Sequence, residues 1–161
     1  MEPDTRLLFM EEALIEARAA GRRGDLAVGA VVVAGKRIVG RGGNEATSSG
    51  DPTAHAEVVA LRDFARRMPD ANSVAATMFT TFEPCPMCLG ACLLMRLETV
   101  VVGGRRRADD RAWGDYRPEL LAVMSAAGGP RLQVRQGPLA DECLITRGPA
   151  RPADPGAEVR R

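Results

Sequence analysis

Apolar runs typical of β-strands alternate with helical segments along most of this 161-residue chain. A β-branched run at residues 28–34 and a second run at 37–40 are separated by Gly35-Lys36, which predicts a hairpin. Further strands are predicted at residues 77–82, 99–102 and 131–135. About thirty residues with a helical segment separate the last two strands, and a connection of that length favours a crossover to a parallel neighbour.

Helical periodicity and capping residues predict the other elements, at residues 5–20, 54–67, 86–96, 117–127 and 139–144. Thr5 is the expected cap of the first helix, and Asp51 or Thr53 that of the second. The order predicts an α/β fold, a three-layer α/β/α domain with a mixed five-stranded sheet whose last two strands are parallel. We expect this domain at residues 1–147 and a disordered Pro/Arg-rich tail at 148–161.

Charge and composition exclude several classes of function. The chain has 22 basic and 21 acidic residues, a formal net charge of +1, so no overall basic field indicates nucleic acid. No apolar run approaches the ~18 residues of a membrane span, and the acidic N-terminus is not typical of a signal peptide. We therefore expect a cytoplasmic protein with no membrane partner.

Two short segments carry residues suited to metal chemistry. His55, the only histidine, is followed by Glu57, and Cys85 and Cys88 lie three apart where a helix is predicted to start. A helix N-terminus lowers thiol pKa values, and one imidazole with two thiolates suits Zn²⁺. Three protein ligands leave the fourth position for water, which predicts a catalytic zinc site, one ion per chain, with Glu57 moving protons.

The four cysteines allow two other interpretations. Cys85 and Cys88 could form a redox pair, although the nearby histidine and glutamate disfavour this. A structural zinc would need a fourth protein ligand, and Cys92 or Cys143 would have to supply it. We expect both of these to be small core residues instead.

His-x-Glu followed by Pro-Cys-x-x-Cys resembles the signature of zinc-dependent nucleobase deaminases. Over nearly all of residues 1–147 the chain resembles the cytidine/deoxycytidylate deaminase superfamily, above all at residues 51–57, 80–88 and 139–143. The similar branches are guanine deaminase, cytosine deaminase and tRNA adenosine deaminase. The resemblance implies a hydrolase acting on C–N bonds, and a homodimer.

Candidate substrate contacts lie in three places. The resemblance implies that Asn44 binds the base or sugar, although it could instead be a turn asparagine in the left-handed region. The backbone N–H of Ala56, at a helix start, is free to meet a ligand oxygen. Trp113 could stack on a base while Asp115 or Asp109 binds its N–H groups, or Trp113 could lie at a subunit interface.

Three functions remain open at this point. The favoured one is deamination of a free nucleobase or related amino-heterocycle, of cytosine, guanine or amino-triazine type. The alternative is a tRNA-specific adenosine deaminase that converts adenosine to inosine in the anticodon; residues 105–116, the tail and the near-neutral charge disfavour it. A non-catalytic zinc-binding module is the third, and it would have no need of Glu57.

Overall fold

The computed structural model describes residues 3–71, 74–106 and 132–148 of the chain. The described elements are nine, in the order α1 (Pro3–Arg22), β1 (Gly29–Ala34), β2 (Arg37–Gly43), α2 (Ala56–Arg67), β3 (Ala76–Phe82), α3 (Pro86–Leu94), β4 (Thr99–Gly104), β5 (Gln133–Gln136) and α4 (Ala140–Arg147).

The five strands form one mixed sheet in the order β2-β1-β3-β4-β5. β1 pairs antiparallel with both β2 and β3, while β3–β4 and β4–β5 are parallel. The parallel crossover predicted from the long connection is therefore confirmed. In parallel pairs the carboxyl ends of the strands meet at one edge, and loops there are the usual place for a site.

Helices cover both faces of the sheet, as predicted for a three-layer fold. α2 and α3 pack on the face that carries Ala30, Val32 and Met78. α1 and α4 pack on the opposite face, against Val31 and Phe79. Neighbouring residues of one strand fall in different apolar clusters because successive side chains point to opposite faces of the sheet. Each fully buried strand therefore contributes to both clusters.

Two glycines of β2 allow α2 to lie close against the sheet. A Cβ at Gly40 would be 2.5 Å from the carbonyl oxygen of Ala60, and one at Gly42 would be 2.6 Å from that of Ala56. Any side chain at these positions would push α2 away from the sheet. Since α2 begins at Ala56, this close packing also determines where its first turn and the preceding His55 lie.

Several predicted boundaries and caps are wrong. α1 begins at Pro3 and continues to Arg22, so Thr5 lies inside it and is not its cap; Pro is favoured in a first helical turn. α2 starts at Ala56 with His55 at the N-cap position and no side-chain cap. Asp51 accepts hydrogen bonds from the backbone and hydroxyl of Thr53, which closes a turn ahead of the helix. The predicted helix at 117–127 and the tail lie outside the described residues, apart from Gly148, which follows α4.

None of the helices within the described ranges is long and apolar enough to cross a bilayer.

Candidate active site

Two helix N-termini converge at the site. His55 is the N-cap residue of α2, and Cys85 is the N-cap residue of α3, with Pro86 in the first turn. Neither helix has a side-chain cap, so no capping side chain accepts from its first backbone N–H groups. Because both helices start at the site, these groups and the partial positive charge of the two N-termini face the same region. This environment favours thiolates and anionic ligands, as expected from the spacing of the cysteines.

The three predicted ligands lie within reach of one ion. Nδ1 of His55 is 3.5 Å from Sγ of Cys85 and 3.4 Å from Sγ of Cys88, and the two sulfurs are 3.5 Å apart. Around a tetrahedral zinc with ordinary bond lengths, such atoms are about 3.6–3.8 Å apart. The residues present therefore fit Zn²⁺ closely, with Nδ1 as the imidazole donor.

Among the described residues this metal-binding cluster contains no fourth ligand. Cys92 is fully buried one turn along α3, with its sulfur 3.8 Å from that of Met78. Cys143 lies in the apolar cluster on the opposite face of the sheet. Neither can complete a structural zinc site, and burial raises the pKa of both thiols, that of Cys143 to about 11.

The two cysteines of the cluster differ in acidity. A contact with Cys88 and hydrogen bonding with His55 lower the pKa of Cys85 to about 4, although burial opposes this. The pKa of Cys88 is raised by its contact with Cys85 and by burial. The pKa of His55 is likewise raised, by its contact with Cys85, so Cys88 and His55 both hold their protons more tightly in the metal-free protein. Zinc ligation requires loss of these protons.

Glu57 lies in the first turn of α2 and is only 3% exposed. It is not part of the metal cluster. Burial raises the pKa of its carboxyl above the ordinary value, while the backbone and the Thr80 hydroxyl oppose the shift. Oε1 of Glu57 accepts a hydrogen bond of 2.9 Å from Thr80 Oγ1. A carboxyl whose pKa is raised towards neutrality suits a group that must take up and release protons.

A cavity opens beside these groups and joins the metal cluster to the end of β2. It is lined by Leu26, Val28, Asn44, His55, Glu57, Phe82, Glu83 and Cys85. Asn44 directly follows β2 and is not among the described non-glycine residues with positive φ, which are Arg96 and Leu139. Asn44 is therefore not in the left-handed region, but its Oδ1 accepts a hydrogen bond of 3.0 Å from the Ala46 backbone N–H, as in a turn asparagine. Its substrate role stays a prediction.

Asp25 organises the loop that follows Asn44. Its side chain is fully buried, and its carboxylate accepts hydrogen bonds from the backbone N–H groups of Thr47 and Ser48 and from the Ser48 hydroxyl. Arg23 ties the same loop by donating to the carbonyl oxygen of Asn44, with Nε 3.4 Å from Asp25. Although burial alone would raise it, the pKa of Asp25 is lowered by the hydrogen bonds from Ser48 and Thr47.

Sequence reasoning found the metal cluster and Glu57 but missed Asp25 and Thr80. Thr80 is a polar residue within β3, and Asp25 is a loop residue ahead of β1. Neither position indicates a role in the sequence, because the role of each depends on a tertiary contact. Ala56 is the first residue of α2, as the predicted role of its N–H requires. Trp113, Asp115 and Asp109 lie outside the described residues, so their predicted roles stay predictions.

The fold and the site together define a class of protein. A His-Cys-Cys zinc site on an α/β/α domain, with a neighbouring glutamate that is not a ligand, is the arrangement of the zinc-dependent deaminases. The chain belongs to the cytidine and deoxycytidylate deaminase family, since the model of that family's zinc-binding region matches residues 3–104. It is therefore a hydrolase acting on C–N bonds, and its cofactor is zinc, as predicted.

Similar proteins include several tRNA deaminases. The chain is 37% identical over 136 residues to the tRNA-specific adenosine deaminase of Haemophilus influenzae, covering 84% of this chain and 76% of that one. It is 34% identical over 151 residues to the chloroplastic tRNA(adenine(34)) deaminase of Arabidopsis thaliana, covering 86% of this chain but only 12% of that much longer protein.

A solved structure from a study of A-to-I editing by tRNA:A34 deaminases is similar over 87% of this chain and 99% of its own. Its TM-score is 0.72 and its sequence identity 28%. The likeness thus extends well beyond the metal-binding segments.

These relatives show that the favoured prediction, a free-nucleobase substrate, is wrong, because the similar proteins with 34–37% identity are tRNA adenosine deaminases. The prediction depended on the net charge of +1 and on residues 105–116 and 148–161. Net charge averages over the whole surface, whereas RNA binding depends on the local charge beside the site.

Proposed function

We propose that this chain deaminates adenosine to inosine at the wobble position of a tRNA anticodon. The observation that carries the chemistry is the His55-Cys85-Cys88 cluster beside the buried carboxylate of Glu57. The similarity to tRNA-specific adenosine deaminases supports the choice of substrate.

The residues around the cavity account for the proton transfers. His55, Cys85 and Cys88 would hold zinc, which when bound supplies the Lewis acidity that lowers the pKa of water towards ~7. Glu57 takes a proton from the attacking water and delivers it to the ring nitrogen next to C6 of adenine. It then takes the second proton from the hydroxyl group now bonded to C6 and transfers it to the exocyclic amine. The bond between C6 and the amine breaks, ammonia leaves, and C6 keeps the oxygen as the carbonyl of inosine.

Arginines beside the cavity support an RNA substrate despite the near-neutral net charge. The Arg23 side chain, 41% exposed, contacts the Asn44 carbonyl oxygen at one side of the cavity. The Arg105 side chain, 48% exposed, faces Glu83 with 3.9 Å between Nη1 and Oε1. Glu83 also accepts a hydrogen bond from the backbone N–H of Arg106, which holds the end of β4 next to the cavity. Guanidinium groups in these positions suit phosphates that flank an extruded base.

The predicted homodimer is part of this proposal. α3 exposes Leu94 (81%) and Met87 (38%), which lie along an apolar groove between α2 and α3. Contiguous exposed apolar residues of this kind are typical of an interface. The cytoplasmic location stays a prediction, as does the domain boundary at residue 147.

The decisive experiment compares substrates directly. We expect the zinc-loaded full chain to convert adenosine to inosine in an anticodon stem-loop, detected by mass spectrometry of the digested RNA. The matched control RNA carries the adenosine one position away from the wobble position and should react far more slowly. Turnover of free guanine or cytosine, with none of the stem-loop, would contradict the tRNA proposal.

A further inference from the structure

Thr80 is a polar side chain on an otherwise apolar face of β3. Its neighbours on that face, Met78 and Phe82, are almost completely buried in the cluster under α2 and α3. Thr80 itself is 0% exposed. A hydroxyl buried in such surroundings is costly unless it is paired, and an apolar residue of the same shape would fill the space without that cost.

The partner of the Thr80 side chain is the carboxylate of Glu57. Oγ1 donates to Oε1 of Glu57 over 2.9 Å, and the carbonyl oxygen of Phe82 is a second acceptor at 3.1 Å. A threonine hydroxyl has one hydrogen, so the charged acceptor takes it preferentially. The hydrogen bond joins residues 23 positions apart, on a strand and on a helix.

The hydroxyl is held more rigidly than the carboxylate it contacts. Thr80 lies in the middle of the sheet, opposite Ala30 of β1 and Val102 of β4. Its β-branched side chain has restricted rotation about χ1. Glu57 projects from α2 on a longer side chain with three rotatable bonds, so the contact with the fixed strand restricts where its carboxylate can lie.

We propose that Thr80 is a positioning residue for Glu57, holding Oε1 so that the other carboxylate oxygen is presented to the reacting water and base. This inference rests on the role of Glu57 given under the proposed function. Thr80 is not among the residues that line the cavity, and its contribution is to the orientation of the group that transfers protons. A purely structural hydroxyl would affect stability only, and the two cases predict different results.

The test compares Thr80→Val, which keeps the shape and removes the hydroxyl, with Thr80→Ser, which keeps the hydroxyl and removes a methyl. We expect Thr80→Val to lower kcat for stem-loop deamination by about 10- to 100-fold, the range for a hydrogen bond to a charged group. KM and zinc content should change little. Thr80→Ser should retain kcat within a few-fold, although loss of the buried methyl makes it less stable than wild type.

Thr81→Val is the matched control, because Thr81 is the neighbouring residue, is 1% exposed, and points to the opposite face of β3. Its hydroxyl oxygen accepts a hydrogen bond of 3.1 Å from the Gly29 backbone N–H. This variant should lose stability and keep its kcat. A Thr80→Val protein with wild-type kcat, or one whose kcat falls no further than that of Thr81→Val, would overturn the inference.

Glu57→Gln separates this inference from the function on which it rests. If Glu57→Gln retains full turnover, the proposed role of Glu57 and the inference are both wrong. If Glu57→Gln is inactive while Thr80→Val keeps wild-type kcat, only the inference is wrong. In single-turnover measurements, adding Thr80→Val to Glu57→Gln should cause almost no further loss, because the two residues act as one unit.

Discussion

Nδ1 of His55 lies 3.5 Å from Sγ of Cys85, although 30 positions separate the two residues in the chain. Each is the N-cap residue of its own helix. β2 and β3 are both antiparallel to β1, so they run in the same direction and the helices that follow them begin at the same end of the sheet. Since this contact and its counterpart with Cys88 define the metal cluster, the first prediction concerns zinc.

Removal of either thiolate should abolish zinc binding. We expect Cys85→Ala and Cys88→Ala to lose most of the one zinc per chain, because two remaining ligands cannot hold the ion tightly. Cys92→Ala serves as the control, since it also removes a buried thiol and should keep the metal. Zinc content is measured by atomic absorption on purified protein. Full occupancy in both ligand variants would contradict the assignment.

Zinc binding should release protons and weaken in acid. The pKa values of Cys88 and His55 are both raised in the free protein, so ligation must displace protons from these groups. Apparent affinity, measured by competition with a chelator, should therefore fall as the pH is lowered from 8 to 5. Equal affinity across this range would show that the cluster does not bind zinc through these groups.

Glu57→Gln should retain zinc and lose turnover. The glutamine keeps the size of the side chain but cannot accept the proton from water, and general acid–base catalysis is worth about 10²–10⁴-fold. The loss should appear in kcat and not in KM, since the interaction is made chiefly in the transition state. Steady-state kinetics on the stem-loop, together with zinc content, checks both points. Loss of zinc in this variant would show that Glu57 is a ligand.

Asp25→Asn should destabilise the protein in a pH-dependent way. The folded pKa of Asp25 lies below its unfolded value of about 3.9, so its charged hydrogen bonds stabilise the fold above that pH. Their contribution is lost as the pH falls through the lower, folded pKa. We expect the variant to lose about 1–2 kcal/mol of unfolding free energy at pH 7.

The difference in unfolding free energy between Asp25→Asn and wild type should then become smaller below about pH 4. Urea unfolding of the two proteins side by side at pH 7 and pH 3 measures it, and any loss of zinc common to both cancels. A difference that stays constant with pH would rule out a contribution from the charged form of Asp25.

Arg105→Gln should weaken RNA binding and reduce its dependence on salt. Each phosphate contact to single-stranded RNA contributes about −0.7 to the slope of log K against log salt, so loss of one contact should lower the slope by about that amount. Arg66→Gln is the control, because Arg66 is in the last turn of α2, at the opposite end of the helix from the site. Fluorescence anisotropy with the stem-loop gives both slopes, and identical slopes would exclude Arg105 from phosphate binding.

Within the described residues, the order of strands and helices, the parallel crossover and the zinc ligands could all be predicted from sequence alone. Periodicity depends only on which face of an element is buried, and the motif at His55, Glu57, Cys85 and Cys88 places its ligands at the starts of just two helices. Those features are local, so they can be recognised before the tertiary structure is known.

The contacts of Thr80 and Asp25 depend on the tertiary structure. Whether the Thr80 hydroxyl meets Glu57 depends on the register of β3 against β1 and on how closely Gly40 and Gly42 let α2 approach the sheet. In the sequence Asp25 has the features of an ordinary loop residue. Only the tertiary structure shows that its buried carboxylate accepts hydrogen bonds from the backbone N–H groups of Thr47 and Ser48. Periodicity carries no information about which residues of different elements meet, because that depends on the packing of the whole sheet and its helices.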